Sequence, residues 1–134
     1  MRVHSEDVQR LSEWLAEQFS LEAVHCCGLP DHPGHALAMR QPQGFGGVLA
    51  FEVAGAPEAA WQFIYGTELI SLNANVAGAK TANVHPASTT HGRRTAGQRL
   101  AAGISEGLVQ VAVGLENLED LQSESSRGFD ALGR

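Results

Sequence analysis

Apolar residues near the amino terminus recur at the spacing of one helical face. This face is formed by Val8, Leu11, Trp14, Leu15, Ala16 and Phe19. Ser5 is in a position to cap the helix, because Glu6 and Asp7 then fall in its first turn, where carboxylates favour the positive end of the helix dipole. The pattern predicts an amphipathic first helix that packs on another element.

Short extended segments follow, separated by glycine and proline. The strand-like runs are residues 22–27, 48–53, 69–76 and 108–113. Between the first two runs, Asp31 can cap a short helix with Pro33 in its first turn and with Pro42 at its end. The chain therefore predicts strands that alternate with helices.

Three further helices have recognisable ends. Pro57 opens one of them, while Thr95 and Gln98 have the spacing of a capping box in front of a second, for which Gly103 suits the end. Asn117 caps the last helix, and one face of that helix contains Leu118, Leu121, Ser125, Phe129 and Leu132. These elements predict an α+β fold in which a sheet of about four strands is covered by helices mainly on one face.

Length and charge narrow the class of protein. The 134 residues fit one domain, and a net charge of -6 with scattered arginines argues against nucleic acid as a partner. No apolar run is long enough to cross a membrane, and the first residues lack the apolar core of a signal peptide, so we expect a cytoplasmic protein. Cys26 and Cys27 are adjacent in a predicted strand and point to opposite faces, which favours reduced thiols.

Several motifs suggest chemistry that their spacing does not support. A cluster of His25, Cys26, Cys27, His32 and His35 contains zinc-ligand types, but it has no Cys-x-x-Cys or His-Glu-x-x-His spacing. The glycines of residues 44–47 precede a strand instead of joining a strand to a helix, which argues against a nucleotide loop. Ser88 and His91 would suit a hydrolase, but no Gly-x-Ser-x-Gly elbow is present.

Three separated segments carry a family resemblance. They are GLPDHPGHALAMRQPQGFGGVLAFEV at residues 28–53, HPASTTHGR at residues 85–93, and AAGISEGLVQVAVGLENLEDL at residues 101–121. In this order they resemble the C-terminal domain of the pyridoxal-phosphate (PLP) dependent Cys/Met-metabolism, or trans-sulfuration, enzymes. Within that family the similarity is greatest to the O-succinylhomoserine sulfhydrylase and cystathionine gamma-synthase group, and it extends from about His4 to about Leu132.

The resemblance implies a fold, and it implies a large PLP-binding domain that residues 1–134 do not contain. The family's small domain is a mostly antiparallel sheet with helices on its outer face, and it lies against a large domain that holds PLP. The Schiff-base lysine belongs to that large domain, whereas the single lysine of this chain, Lys80, falls in a loop. Residues 1–134 are therefore expected to be one domain that does not bind PLP or catalyse by itself.

The resemblance also implies three substrate-binding positions. A family arginine that grips the substrate α-carboxylate corresponds to Gln110, and groups near that carboxylate correspond to Asn75 and Thr90. A glutamine amide offers only neutral donors where arginine offers a charged fork, so the site is degenerate. Asn75 can equally close a turn, and Thr90 can bond its own loop backbone. Val76-Ala77 stands where the family often has Leu-Gly.

Two functions remain open at this point. In the first, the chain is the substrate-side domain of a homoserine sulfhydrylase-like enzyme, and a separate PLP-binding large domain supplies the chemistry. In the second, it is a non-catalytic module that self-associates, with a dimer through the uncovered sheet face as the expected form. The loss of the arginine at Gln110 favours the second function.

Overall fold

The computed structural model describes residues 1–41, 44–55, 57–74 and 76–133. In chain order the elements are α1 (Arg2–Ala16), β1 (Leu21–His25), α2 (His35–Ala38), β2 (Val48–Val53), α3 (Glu58–Gly66), β3 (Ser71–Leu72), β4 (Ala82–Val84), α4 (Ala96–Ala101), β5 (Leu108–Ala112) and α5 (Leu118–Asp130). Within those ranges, no helix is long and apolar enough to cross a bilayer.

The strands in this part of the chain form a five-stranded sheet with the order β1-β2-β5-β4-β3. Neighbouring strands are antiparallel except for β3, which pairs in parallel with β4. The fold class expected from the sequence is confirmed, with one more strand than predicted. β4 was missed because its three residues are all buried and show no alternation of apolar and polar positions.

One face of the sheet carries the core. The side chains that alternate toward it include Leu49, Phe51 and Val53 of β2 and Val109 and Val111 of β5, all of which are buried. Helices α1, α3 and α5 pack on this face, where the Phe63 ring lies 5.0 Å from Phe51 and 5.0 Å from Phe129. Fully burying one such aromatic side chain contributes about 1.5–3 kcal/mol, so these rings hold the helical layer to the sheet.

Several predicted helix ends are confirmed. Pro57 is the N-cap of α3, and Asn117 accepts a hydrogen bond from the Glu119 N–H at the start of α5. The capping box before α4 is complete, because Thr95 and Gln98 each accept from the other's backbone N–H. The hydrogen bonds between side chains and nearby backbone groups at these helix ends could therefore be predicted from the sequence.

The start and end of α1 differ from the prediction. The helix begins at Arg2, and Ser5 lies inside it, where its Oγ accepts a hydrogen bond from the Phe45 N–H at 2.8 Å. Phe19 is fully exposed because the helix ends at Ala16 and the chain turns before β1. A long-range contact and an early turn thus overrode the local helical pattern.

Four other boundaries were also wrong. Cys26 and Cys27 follow β1 instead of lying in it, and the short helix α2 is capped by Gly34 instead of Asp31. The extended run at 69–76 shrinks to β3, and Leu132 lies beyond the end of α5. Pro42, predicted to end the short helix, lies outside the described residues.

Two helical glycines allow a matched test of the core. A Cβ at Gly128 would lie 2.5 Å from the Phe63 ring, whereas a Cβ at Gly97 would meet no atom within 4 Å. We expect Gly128→Ala to lower the free energy of unfolding by about 1–2 kcal/mol, since overpacking outweighs the gain of about 1 kcal/mol in helix propensity.

The control, Gly97→Ala, is expected to raise the free energy of unfolding by about 0.5–1 kcal/mol through helix propensity alone. Urea denaturation followed by circular dichroism measures both variants. Equal stabilisation by the two alanines would show that α3 and α5 are not packed as closely as described.

Candidate functional site

The sheet face that points away from the core is the natural place for a ligand. Gln110 lies in the middle of this face on β5, and its strand neighbours are Ala50 of β2 and Val84 of β4. Because side chains alternate along a strand, Gln110 points away from its buried neighbours Val109 and Val111. The surface around Gln110 is called the open face below.

The Gln110 side chain is half-buried, and its amide is not engaged in a hydrogen bond with the described residues. Across the described ranges its amide makes no hydrogen bond, although the residue is flanked by strands on both sides. A partly buried amide without a partner has unused donors and an unused acceptor. The open face can therefore offer neutral hydrogen bonds to a ligand at its centre.

Thr90 lies in the turn that follows β4. It is six residues after Val84, which pairs with Gln110 in the sheet. It is exposed, and its Oγ1 bonds Nδ1 of His91 at 2.9 Å. The predicted bond to its own loop backbone does not form there. Asn75, the third predicted position, lies outside the described residues, so its relation to Gln110 and Thr90 stays a prediction.

A strap of residues 76–81 leads into β4, at the opposite end of that strand from the turn that contains Thr90. Its backbone is held by His4 Nε2, which donates to the Gly78 carbonyl at 3.0 Å, and by Leu115 N–H, which donates to the Ala79 carbonyl at 2.8 Å. Within it Ala77 has φ +58°, a left-handed conformation that suits glycine. The family's Leu-Gly preference at this point thus has a physical reason.

A carboxylate that sequence reasoning missed clamps the strap to the sheet. Glu116 accepts hydrogen bonds from the Thr81 N–H at 2.7 Å and from the Thr81 hydroxyl at 2.6 Å. The Thr81 Oγ1 in turn accepts from the Gly114 N–H at 2.8 Å, and a Cβ at Gly114 would lie 2.5 Å from the Ala79 carbonyl oxygen. The only sequence signal was the Gly114-x-Glu116 spacing directly after a strand.

His85 is fully buried at the end of β4 and was also missed. Its Nε2 bonds the Glu106 carbonyl oxygen at 2.6 Å, and its Nδ1 bonds the Ser88 hydroxyl at 2.7 Å. The sequence had suggested a pair of Ser88 and His91, but the structure places Ser88 against His85. The bond from His85 to the Glu106 carbonyl joins the start of the turn to the loop before β5.

The histidines and cysteines near β1 have structural contacts. His32 Nδ1 accepts from the Gly34 N–H, and His35 Nδ1–H donates to the Cys27 carbonyl. Burial raises the pKa of the Cys27 thiol, and the adjacent Cys26 raises it further. In the parts of the chain that are described, no three His, Cys, Asp or Glu side chains are grouped so that they could hold a metal.

Comparison with known proteins identifies relatives along the whole chain. Residues 1–130 match the family model of the Cys/Met metabolism PLP-dependent enzymes. The chain is 47% identical over 132 residues to an O-succinylhomoserine sulfhydrylase of Pseudomonas aeruginosa, covering 98% of this chain and 33% of that protein. It is 43% identical over 122 residues to O-acetyl-L-homoserine sulfhydrylase 1 of Thermus thermophilus, covering 90% of this chain and 29% of the relative.

A solved structure gives the same relationship. Cystathionine gamma synthase from Xanthomonas oryzae pv. oryzae, in complex with aminoacrylate and cysteine, superposes with a TM-score of 0.92 at 39% identity. The match covers 98% of this chain and 34% of that enzyme chain. The chain thus spans about a third of the length of the relatives it matches.

Ala77→Gly tests the strain in the strap. A non-glycine residue in the left-handed region costs about 1–2 kcal/mol, while glycine costs about 0.5–1 kcal/mol in unfolded-state entropy. We expect the variant to raise the free energy of unfolding by about 0.5–1 kcal/mol.

Its control is Ala79→Gly in the same strap, at a residue without positive φ. This variant is expected to lower the free energy of unfolding by about 0.4–1 kcal/mol. Thermal unfolding followed by calorimetry distinguishes the two. A loss of stability in Ala77→Gly would mean that the left-handed geometry carries no strain.

Glu116→Gln tests the clamp. Glutamine has one oxygen where the carboxylate has two, and its amide group would face a Thr81 donor. Hydrogen bonds to a charged group contribute about 1.5–3 kcal/mol, so we expect a loss of about that size in chemical denaturation. Glu17→Gln, an exposed carboxylate without a described partner, should change stability by less than about 0.5 kcal/mol. Equal effects of the two substitutions would refute the clamp.

Proposed function

The chain belongs to the family of Cys/Met metabolism PLP-dependent enzymes, and we propose that it is the C-terminal, substrate-side domain of a homoserine sulfhydrylase-like member. The observation that carries this proposal is the free side chain of Gln110 at the centre of the open face, opposite Val84, the residue of β4 from which the turn continues. Residues 1–134 act as a single unit in this proposal, and PLP chemistry comes from a large domain that is not part of it.

The described residues do not fit PLP. A PLP enzyme needs an amine for the aldehyde and a carboxylate for the pyridine nitrogen. Lys80, the single lysine, is exposed in the strap, and the neighbouring carboxylate of Glu116 is already bonded to Thr81. The cofactor's aldehyde and ring nitrogen therefore find no paired amine and carboxylate here, which supports a cofactor site on another polypeptide segment.

We assign the open face to the α-carboxylate of an amino-acid substrate. Gln110 would donate one amide N–H to that carboxylate, with Asn75 and Thr90 as neighbouring donors. Truncating one partner of a buried charged pair costs about 2–5 kcal/mol, whereas a neutral hydrogen bond returns about 1 kcal/mol. The proposed site is therefore a weak carboxylate site, adapted to a substrate held mainly by its other groups.

The partner in this proposal is the PLP-bearing large domain, which covers the open face. The core face of the sheet is buried under helices, so the half-exposed part of the other face, around Gln110 and Ala50, is the surface left for docking. The proposal also places the enzyme in the cytoplasm, where the free thiols of Cys26 and Cys27 stay reduced.

A hybrid enzyme tests the proposed function. In the P. aeruginosa O-succinylhomoserine sulfhydrylase, the matching third of the chain is replaced by residues 1–134. We expect the hybrid to carry PLP, measured by its visible absorbance, and to form product from O-succinylhomoserine and a sulfur nucleophile. A folded, PLP-loaded hybrid without activity in either the Gln110 or the arginine form would refute the proposal.

Gln110→Arg in the hybrid tests the carboxylate site. A guanidinium restores a charged two-pronged donor, so we expect kcat/KM to rise at least tenfold. A tenfold rise corresponds to about 1.4 kcal/mol of additional transition-state stabilisation. Gln62→Arg, an exposed glutamine on α3, is the matched control and should leave kcat/KM unchanged. A similar gain in both variants would show that added charge, and not the position of Gln110, is responsible.

The loss of the family arginine favours a second candidate, a non-catalytic module that self-associates through the open face. In that case the purified chain forms a dimer in light scattering, and Gln110→Arg weakens the dimer by placing a charge in its interface. A monomer at high concentration would refute this candidate and leave the first one intact.

A further inference from the structure

Ser88 and His85 form a nucleophile and base pair outside the open face. The hydroxyl oxygen of Ser88 lies 2.7 Å from Nδ1 of His85. Ser88 is exposed in the turn after β4, whereas His85 is fully buried. The hydroxyl of an exposed serine thus contacts the ring of a buried histidine.

The protonation of His85 follows from its second contact. Its Nε2 lies 2.6 Å from the carbonyl oxygen of Glu106, and a carbonyl can only accept. Nε2 therefore carries the hydrogen, which leaves the Nδ1 lone pair facing the Ser88 hydroxyl. A nucleophile within hydrogen-bond reach of a base that a third group orients is the diagnostic arrangement of an activated nucleophile.

The site also accommodates the charge that a proton transfer would create. An imidazolium at His85 keeps both N–H groups paired, with the Glu106 carbonyl at Nε2 and the Ser88 oxygen at Nδ1. The Trp61 ring centroid lies 5.5 Å from the His85 ring, within the range at which an aromatic face stabilises a cation. Both ring nitrogens of His85 therefore keep a hydrogen-bond partner before and after the transfer.

We propose that Ser88 is a base-activated nucleophile that captures activated acyl and sulfonyl groups. With a sulfonyl fluoride, the bond from Ser88 Oγ to sulfur forms while the sulfur–fluorine bond breaks, and fluoride leaves with the electron pair. The hydroxyl proton moves to His85 Nδ1 and then to the departing fluoride, which leaves as hydrogen fluoride. The product is a sulfonylated Ser88 with His85 neutral again.

Other hydroxyls of the same chain lack this arrangement. Thr89 Oγ1 donates to the His85 carbonyl at 2.7 Å and so faces an acceptor that is not a base. Ser123, on α5, is exposed and has no side-chain partner among the described residues. General base catalysis is worth about 10²–10⁴-fold in rate. Ser88 should therefore react at least about a hundredfold faster than Ser123.

The test is labelling with phenylmethylsulfonyl fluoride, read by intact mass and by mapping of the modified peptide. We expect one adduct, located at Ser88 and absent from a Ser88→Ala variant that retains the wild-type circular dichroism spectrum. His85→Gln should lose the adduct while it retains the wild-type circular dichroism spectrum. No adduct at Ser88, or equal rates at Ser88 and Ser123, would overturn the proposal.

An unchanged labelling rate in a folded His85→Gln variant would also overturn it. Should that variant not fold, the rates of Ser88 and Ser123 within the wild-type chain still decide the question, because both serines are then compared in the same folded molecule.

Discussion

The contact of Phe63 with Phe51 and Phe129 is the interaction on which the rest of the structure depends. It ties α3 and α5 to one face of the sheet, and Gly128 lets the helices approach closely enough for the rings to meet. Because all the large apolar side chains of β2 and β5 that the core needs are drawn to this face, alternation leaves Gln110 on the other. Gln110 is thus half-exposed on a face where its neighbours Val84, Leu108 and Ala112 are buried.

Carboxylates then fix the loops around this framework. Glu116 holds the strap through Thr81, and Glu124 on α5 accepts hydrogen bonds from the N–H groups of Glu68 and Leu69 before β3. Each satisfies backbone N–H groups in the segment just before a short strand. The described residues 68–69 and 76–81 are therefore each held to the rest of the fold by hydrogen bonds.

Elements with local signals were predictable from the sequence. The capping box at Thr95, the cap at Asn117 and the valine-rich β5 all depend on neighbouring residues, and the structure confirms them. The error at Ser5 arose because a distant partner, the Phe45 N–H, decided the outcome, whereas Phe19 lies beyond an early turn and β4 is buried without alternation. At the site, sequence resemblance pointed to Gln110 and Thr90, but the clamp at Glu116 and the pair of His85 and Ser88 required coordinates.

The most direct test of the account is native mass spectrometry of the tagged chain recovered from its own host. The account predicts that the chain emerges bound to a larger polypeptide that carries PLP on a lysine, because the described residues of this chain offer no paired amine and carboxylate for the cofactor. Recovery of the chain alone, or only with copies of itself and without the mass of PLP, would contradict the account.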